Sequence, residues 1–266
     1  MINFAEIISV CTDVINKASS VVLEFYNRPL ATVDYKADHS PLTQADLRSN
    51  EIICQGLAQH FQWPILSEET QDNGLRQNSA FVWLVDPLDG TKEFLAKNGE
   101  FTINIALIEN NKPIFGMIAV PVLGHIYYAA EGQGAYLKMG GKRIRLMCSQ
   151  NTRPEQARLS VSRSHLDSLL KNRLECSKFQ NFIPMGSALK YARIAQGEAE
   201  GSLRGAPLME WDIGAADCIV REAGGCITDF QGNDLQYNKK NPIHNDGIIA
   251  SNRLLHAFFI NLVQQA

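Results

Sequence analysis

Residues 80–91 read AFVWLVDPLDGT: an unbroken apolar run from Ala80 to Val85, two aspartates three positions apart, then a glycine and a threonine. A short continuous apolar run of this length is a strand buried on both faces. Asp86-Pro87-Leu88-Asp89 makes a tight turn at its end, and Gly90-Thr91 opens a helix. Two carboxylates therefore sit directly before the unsatisfied N–H groups of a helix start. Such a turn can hold a cation and a phosphate together: carboxylates and a carbonyl suit hard Mg²⁺, and helix N-terminal donors suit phosphate oxygens. The same spacing also fits a satisfied turn with an N-cap, so by itself the motif leaves both readings open.

Upstream, Pro64-Ile65-Leu66-Ser67 predicts a short strand delivering Glu68 and Glu69. Two adjacent acids at the end of a hydrophobic strand are costly unless they have a task, though ordinary surface acids on a loop remain the alternative. Before them, Phe4, Ile7, Ile8, Cys11, Val14, Ile15, Ala18, Val21, Val22 and Phe25 recur at helical spacing, with Pro29 closing the helix. A second helix begins at Thr43, where Asp46 completes a capping-box pattern, and runs to about His60. Downstream, strands are predicted at about 101–109, 113–120 and 125–130, then a glycine-rich hairpin around Gly132, Gly134, Gly140 and Gly141.

The pattern then changes to strand 158–162, helix 164–172, strand 180–184, helix 186–196, strand 200–204, helix 210–223, strands 225–230 and 247–251, and a terminal helix. Such alternation predicts an α/β second lobe. The division falls near 131–150, giving an N-terminal α+β lobe over 1–140 and a C-terminal α/β lobe over 141–266.

The chain has 266 residues, 45% hydrophobic and 20% charged, with a formal charge of −3 and a pI near 6.1. There is ample material for a core, and no basic field for gripping a nucleic acid polymer. The six cysteines, Cys11, Cys54, Cys148, Cys176, Cys218 and Cys226, are scattered without metal spacing and read as buried small hydrophobes. The opening MINFAEIISVCTDVINKA carries Glu6 and Asp13 and no basic segment, unlike a secretory leader. A reducing cytoplasm is expected. No apolar run reaches the roughly 20 residues that span a bilayer, so at most the protein docks peripherally on the cytoplasmic face of the inner membrane.

Much later, Glu210-Trp211-Asp212 opens a helix whose next turn, Ile213-Gly214-Ala215-Ala216, suits tight packing under a site. Asp212 fits either a site residue or a helix-start acid. If Glu68, Asp86, Asp89 and Asp212 converge at about 5 Å, each like-charge pair costs roughly 3 kcal/mol at an effective dielectric near 20. Cations relieve this, and protonation is the competing escape. Phosphomonoester hydrolysis has one of the slowest uncatalysed rates, and because a general base supplies only about 10²–10⁴, the bulk of its acceleration must come from positioned charge. The sequence lacks G-x-x-x-x-G-K-[ST], H-E-x-x-H and G-x-S-x-G, which removes the usual NTPase, zincin and serine-hydrolase readings.

Taken together, Glu68-Glu69, Asp86 to Thr91, and Trp211-Asp212 followed by Gly224-Gly225 and Thr228-Asp229 resemble the inositol monophosphatase superfamily over nearly the whole chain. Lys92-Glu93-Phe94, Ser162-Arg163-Ser164-His165 and Gly186-Ser187-Ala188-Leu189-Lys190 resemble its 3′(2′),5′-bisphosphate nucleotidase branch. The resemblance implies an α/β (α+β) fold, a layered α/β/α/β/α sandwich of two closely packed lobes. It also implies removal of the 3′-phosphate of 3′-phosphoadenosine 5′-phosphate, a small phosphorylated nucleotide from sulfur metabolism, using two or three Mg²⁺ ions.

By the same resemblance, Glu68, Asp86 and the Leu88 carbonyl hold one Mg²⁺, and Asp86, Asp89 and Asp212 a second. Asp46 and Thr91 orient the attacking water, Glu69 assists, and the Gly90 and Thr91 amides grip the scissile phosphate. His165 contacts the adenine, while Ser187, Lys190 and Arg204 approach the ribose and 5′-phosphate. Ser202-Leu203-Arg204-Gly205-Ala206-Pro207 departs from the family's Tyr-Pro-Arg-Phe-Gly-Pro. His165 also fits a helix cap, and Lys190 a solvated helix charge. Lithium inhibition and a monomer or homodimer are implied as well. The alternatives are a sister inositol monophosphatase or sugar phosphatase, and a non-catalytic Mg²⁺ and nucleotide binder.

Overall fold

The computed structural model describes residues 2–28, 34–35, 41–163, 181–205 and 207–264, with residues 34, 35, 41 and 42 described by backbone alone. The calls on Pro29, on His165 and Ser164, on helix 164–172, on the first residue of strand 180–184, on Cys176 and on Ala206 lie outside the described residues.

Helix α1 (Phe4–Tyr26) buries Ile7, Cys11, Val14, Ile15, Ala18 and Val22, the stripe that the 3.6-residue period foretells. Strands β1 (Asp34–Tyr35) and β2 (Pro41–Leu42) form a small antiparallel pair. Helix α2 (Gln44–His60) starts on the expected capping box: Thr43 Oγ1 accepts from the Ala45 amide, and the Thr43 amide donates to Asp46 Oδ2 at 2.8 Å.

These two helices cover one face of a seven-stranded sheet in sequence order: β3 (Ile65–Ser67), β4 (Phe81–Asp89), β5 (Thr102–Glu109), β6 (Lys112–Val120), β7 (His125–Ala130), β8 (Gly134–Met139) and β9 (Lys142–Arg145). Only β3 and β4 run parallel; the remainder is an antiparallel meander. Helix α3 (Thr91–Leu95) interrupts it after β4.

A second sheet, in the order β11 (Phe182–Met185), β10 (Leu159–Ser162), β12 (Gly201–Arg204), β16 (Ile248–Ser251), β14 (Cys226–Thr228), follows in the chain. Helices α4 (Leu189–Ala195) and α5 (Glu210–Glu222) lie between the sheets, and α6 (His256–Gln264) covers the outer face of the second. A two-residue ladder joins β13 (Leu208–Met209) to β15 (Ile243–His244).

Alternation along the strands explains the layering. On β4, Trp83 and Val85 face α1 and α2, whereas Val82 and Leu84 face α5. On the second sheet, Ile248 and Ala250 face inward, and Leu159, Leu203 and Ile249 pack on Phe259 of α6. The result is α/β/α/β/α, as the resemblance implies. Strand β9 was read only as part of a hairpin, since Lys142-Arg143-Ile144-Arg145 is exposed throughout and offers no apolar face. Cys11, Cys148 and Cys218 are buried as expected, but Cys54 and Cys226 are only half-buried, and all five are free thiols. Among the described residues no helix is long and apolar enough to cross a membrane.

Helix α5 approaches the first sheet backbone to backbone. A Cβ on Gly116 of β6 would lie 2.2 Å from the Ala215 carbonyl oxygen, and one on Gly214 would lie 3.1 Å from Leu84. Gly116→Ala is therefore expected to push α5 off the sheet and to lower stability by about 2 kcal/mol or more, read as a shifted urea midpoint. Because α5 carries Asp212, its cation response should weaken further than the stability loss alone accounts for.

Candidate active site

The carboxyl ends of β3 and β4, the start of α3, the loop before α4, the end of β12 and the start of α5 meet around one cavity of about 260 Å³. Its lining includes Glu68, Asp86, Leu88, Asp89, Gly90 and Thr91 from the first sheet, and Ser187, Lys190, Arg204 and Asp212 from beyond it. Asp46 and Glu69 do not line it. His165 lies outside the described residues.

One carboxylate oxygen from each of Glu68, Asp86 and Asp212 lies within 4.8 Å of the others. Asp86 is buried; its Oδ1 accepts from the Leu88 amide at 3.1 Å, while its Oδ2 has no hydrogen-bond partner. Burial, and then Glu68, Asp89 and Asp212, push its carboxyl well above the ordinary range. Desolvation together with Asp89 and Glu68 pushes Asp212 up to about 8. The set fits a hard divalent cation: oxygen donors only, crowded enough to repel, with a buried oxygen lacking a donor.

Asp89 is held differently. Its Oδ2 accepts from Thr102 Oγ1 at 3.3 Å, from Asn104 Nδ2 at 3.4 Å and from the Ala188 amide at 2.5 Å. Thr102 and Asn104 escaped notice in the sequence because only the strand register places Asp86 opposite Asn104 and Asp89 opposite Thr102. Desolvation raises the Asp89 carboxyl, and Lys190 offsets part of that rise.

Both helix-start acids prove to be caps as well as members of the site's surroundings. Asp46 Oδ2 takes the Thr43 amide and hydroxyl, and its Oδ1 accepts from Thr91 Oγ1 at 3.2 Å. Asp212 Oδ2 accepts the Met209 amide at 3.2 Å. Glu210, by contrast, is buried away from the cavity and accepts the Asn238 and Lys239 amides at 2.7 and 3.1 Å.

The same cavity also holds positive charge. Lys190 is buried rather than solvated at 4% exposure, and its Nζ donates to the Ser187 carbonyl at 2.6 Å. Desolvation brings its pKa down to about 8 against the pull of Asp89. Arg204 is half-buried, and its Nε has no partner. Ser187 sits at φ +49°, a left-handed conformation rare for serine, and its hydroxyl donates to the Glu100 carbonyl at 2.7 Å. Glu100 also takes the Gly186 amide at 2.9 Å and a two-pronged Arg163 at 2.9 and 2.7 Å. Gly186 is required here, because a Cβ would sit 2.5 Å from Glu93 Cγ. Glu100 and Tyr191 carried no signal in the sequence, since neither belongs to an acidic or glycine motif.

A family model described as the inositol monophosphatase family matches residues 3–266. The chain is 38% identical over 238 residues to the 3′(2′),5′-bisphosphate nucleotidase CysQ of Escherichia coli strain K12, covering 88% of this chain and 95% of that one. It is 39% identical over 239 residues to the protein of the same name from Buchnera aphidicola subsp. Acyrthosiphon pisum, with 88% and 89% covered. Among solved structures, CysQ from Bacteroides thetaiotaomicron, a bacterial member of the inositol monophosphatase family, superposes with a TM-score of 0.78 at 36% identity over 92% of this chain and 97% of that one. The extragenic suppressor protein suhB from Bartonella henselae superposes with a TM-score of 0.86 at 26% identity over 98% and 99%.

A carboxyl whose pKa is raised in the fold holds a proton there that the unfolded chain has lost. Without a cation, stability therefore falls as pH rises from about 4 toward 8. Millimolar Mg²⁺ is expected to raise the thermal midpoint, and by more at pH 8.5 than at pH 6. Asp86→Asn should raise the cation-free midpoint by about 3 °C or more at pH 8.5, by removing one repelling charge, and abolish the Mg²⁺ increment. Scanning fluorimetry with and without EDTA reads both.

Proposed function

We propose, for a chain that belongs to the inositol monophosphatase family, the activity of a 3′(2′),5′-bisphosphate nucleotidase: Mg²⁺-dependent hydrolysis of 3′-phosphoadenosine 5′-phosphate to AMP and phosphate. The observation that carries this reading is the make-up of the cavity. Glu68, Asp86 and Asp212 gather their carboxylate oxygens in it, and Lys190 and Arg204 line the same cavity within reach of Asp89 and Asp212. A substrate with one phosphate to cleave and a second to anchor suits both sets of groups, and the likeness to CysQ nucleotidases points the same way.

Glu68, Asp86 and the Leu88 carbonyl would hold one Mg²⁺, Asp86, Asp89 and Asp212 a second, with Glu68 facing a third. When bound, these ions supply the positive charge that the phosphoryl oxygens and the attacking water require. Thr91 donates its O–H to Asp46, which leaves its oxygen lone pairs to accept a hydrogen bond from that water. The Gly90 and Thr91 amides, at the turn where the chain enters α3, hold the scissile phosphate. Glu69 assists beside Glu68. Lys190 and Arg204 anchor the second phosphate, Ser187 shapes the loop before α4, and His165 contacts the adenine. Attack breaks the bond from phosphorus to the ribose 3′-oxygen; the proton given up by the water passes through Thr91 to Asp46, and the leaving oxygen takes a proton from solvent and departs as a hydroxyl.

A sister phosphatase for inositol or sugar monophosphates would use the same acids without these basic groups. The Asp46 to Thr91 bond argues against a binder that turns nothing over, because a cation site alone needs no proton acceptor. Phosphate release from 3′-phosphoadenosine 5′-phosphate is expected to exceed that from inositol 1-phosphate, to require Mg²⁺ and to vanish in Asp89→Asn. A preference for inositol phosphate would discard the nucleotide reading and keep the metal chemistry. Thr91→Ala should lower kcat by about 10²–10⁴ while retaining the Mg²⁺-dependent rise in thermal midpoint. Loss of both together would mark Thr91 as structural.

A further inference from the structure

Tyr191, the third residue of the α4 segment that begins at Leu189, lines the cavity beside Lys190 and Arg204. The residue is 2% exposed, and its hydroxyl oxygen is buried without a hydrogen-bond partner. Arg204 Nε shares that condition in the same cavity, and Lys190 Nζ lies 4.7 Å from the centre of the Tyr191 ring. Of the charged groups acting on the phenol, Arg204 has the largest influence. Three donors thus line the same cavity, two of them cationic and two with an unpaired buried N–H or O–H.

A buried hydroxyl with no acceptor destabilises a fold, and phenylalanine would fill the same space among Leu189, Ala192 and Ile194 without that cost. The hydroxyl is accounted for if an acceptor arrives with a ligand. Asp89 and Asp212 act on the phenol as well, but neither accepts its O–H, and Asp89 Oδ2 already has its donors. What Lys190 and Arg204 attract is an anion with several acceptor oxygens, and a phosphate has enough for a third donor.

We infer that Tyr191 is a specificity-determining residue, its phenol O–H donating a hydrogen bond to the non-reacting phosphate that Lys190 and Arg204 anchor. This rests on the nucleotidase reading above and adds to it a donor that the motifs do not contain. Burial pushes the phenol pKa up, so the group remains a donor throughout the working pH range.

The test compares Tyr191→Phe with the wild-type enzyme on adenosine 3′,5′-bisphosphate and on adenosine 3′-phosphate, which has the same leaving group and lacks the anchoring phosphate. The expected result is a roughly tenfold fall in the ratio of kcat/KM for the bisphosphate to that for the monophosphate, carried by KM. A structural role would slow both substrates alike and leave the ratio within about twofold of wild type, which overturns the assignment. Arg204→Ala should lower the same ratio, and in its background Tyr191→Phe should add less than it does alone. A wild-type enzyme with no preference for the bisphosphate would overturn the nucleotide reading and the Tyr191 assignment together. A preference undiminished in Tyr191→Phe would overturn the Tyr191 assignment alone.

Discussion

The repulsion among buried carboxylates is what the rest of this structure is arranged to hold. Asp46, Asp86, Asp89 and Asp212 each have one oxygen fixed by a donor from the chain: the Thr43, Leu88, Ala188 and Met209 amides respectively. Each aspartate is thereby aimed in part by a backbone group, and Asp46 and Asp89 by side-chain donors as well. Asp86 Oδ2 is left without a donor, and Glu68, Asp86 and Asp212 crowd together. That energy is stored in the cation-free fold and released when a cation arrives, so binding strength and folding stability are two readings of one arrangement.

Bringing Asp212 to Glu68 and Asp86 demands that α5 lie almost on the sheet's backbone. Gly116 beneath Ala215, and Gly214 against Leu84 and Ala106, make that approach sterically possible. Buried Glu210 fixes the first turn of the same helix by accepting two amides from residues 238 and 239. The two acids of Glu210-Trp211-Asp212 thus divide the work: one anchors the helix and the other reaches the cavity. The apolar layer at this joint is shared by the two sheets, and each sheet also has one of its own on its outer face.

The basic groups depend on a different joint. Gly186, Ser187 and Ala188 are tied to Glu100 and Asp89 of the first sheet's loops, and Arg163 braces Glu100 from the end of β10. The tie fixes Lys190 and Tyr191 next to Asp89 in the cavity. Positive charge held beside the acids lets the site take a doubly phosphorylated ligand. It also explains why Lys190 is buried beside carboxylates and not splayed into solvent.

The sequence by itself determined the acids and their elements. Apolar runs ending in Glu68 and Asp86, the capping box at Thr43 and Asp46, and the small residues after Asp212 are local patterns, and local patterns survive in one dimension because they depend on neighbours a few positions apart. The helical stripe of α1 and the strands at about 101–109, 113–120 and 125–130 were legible for the same reason. Strand β9 was not, since an exposed edge strand carries no apolar period. Only the tertiary structure decided that Asn104 and Thr102 grip Asp89, that Glu100 and Arg163 brace the loop before α4, that Glu210 is an anchor, and that the Tyr191 hydroxyl is buried without a partner. Each of these depends on strand register or on contact between residues far apart in the chain. A hydrogen-bond donor shows its purpose only when the acceptor it meets, or lacks, is placed beside it by the fold.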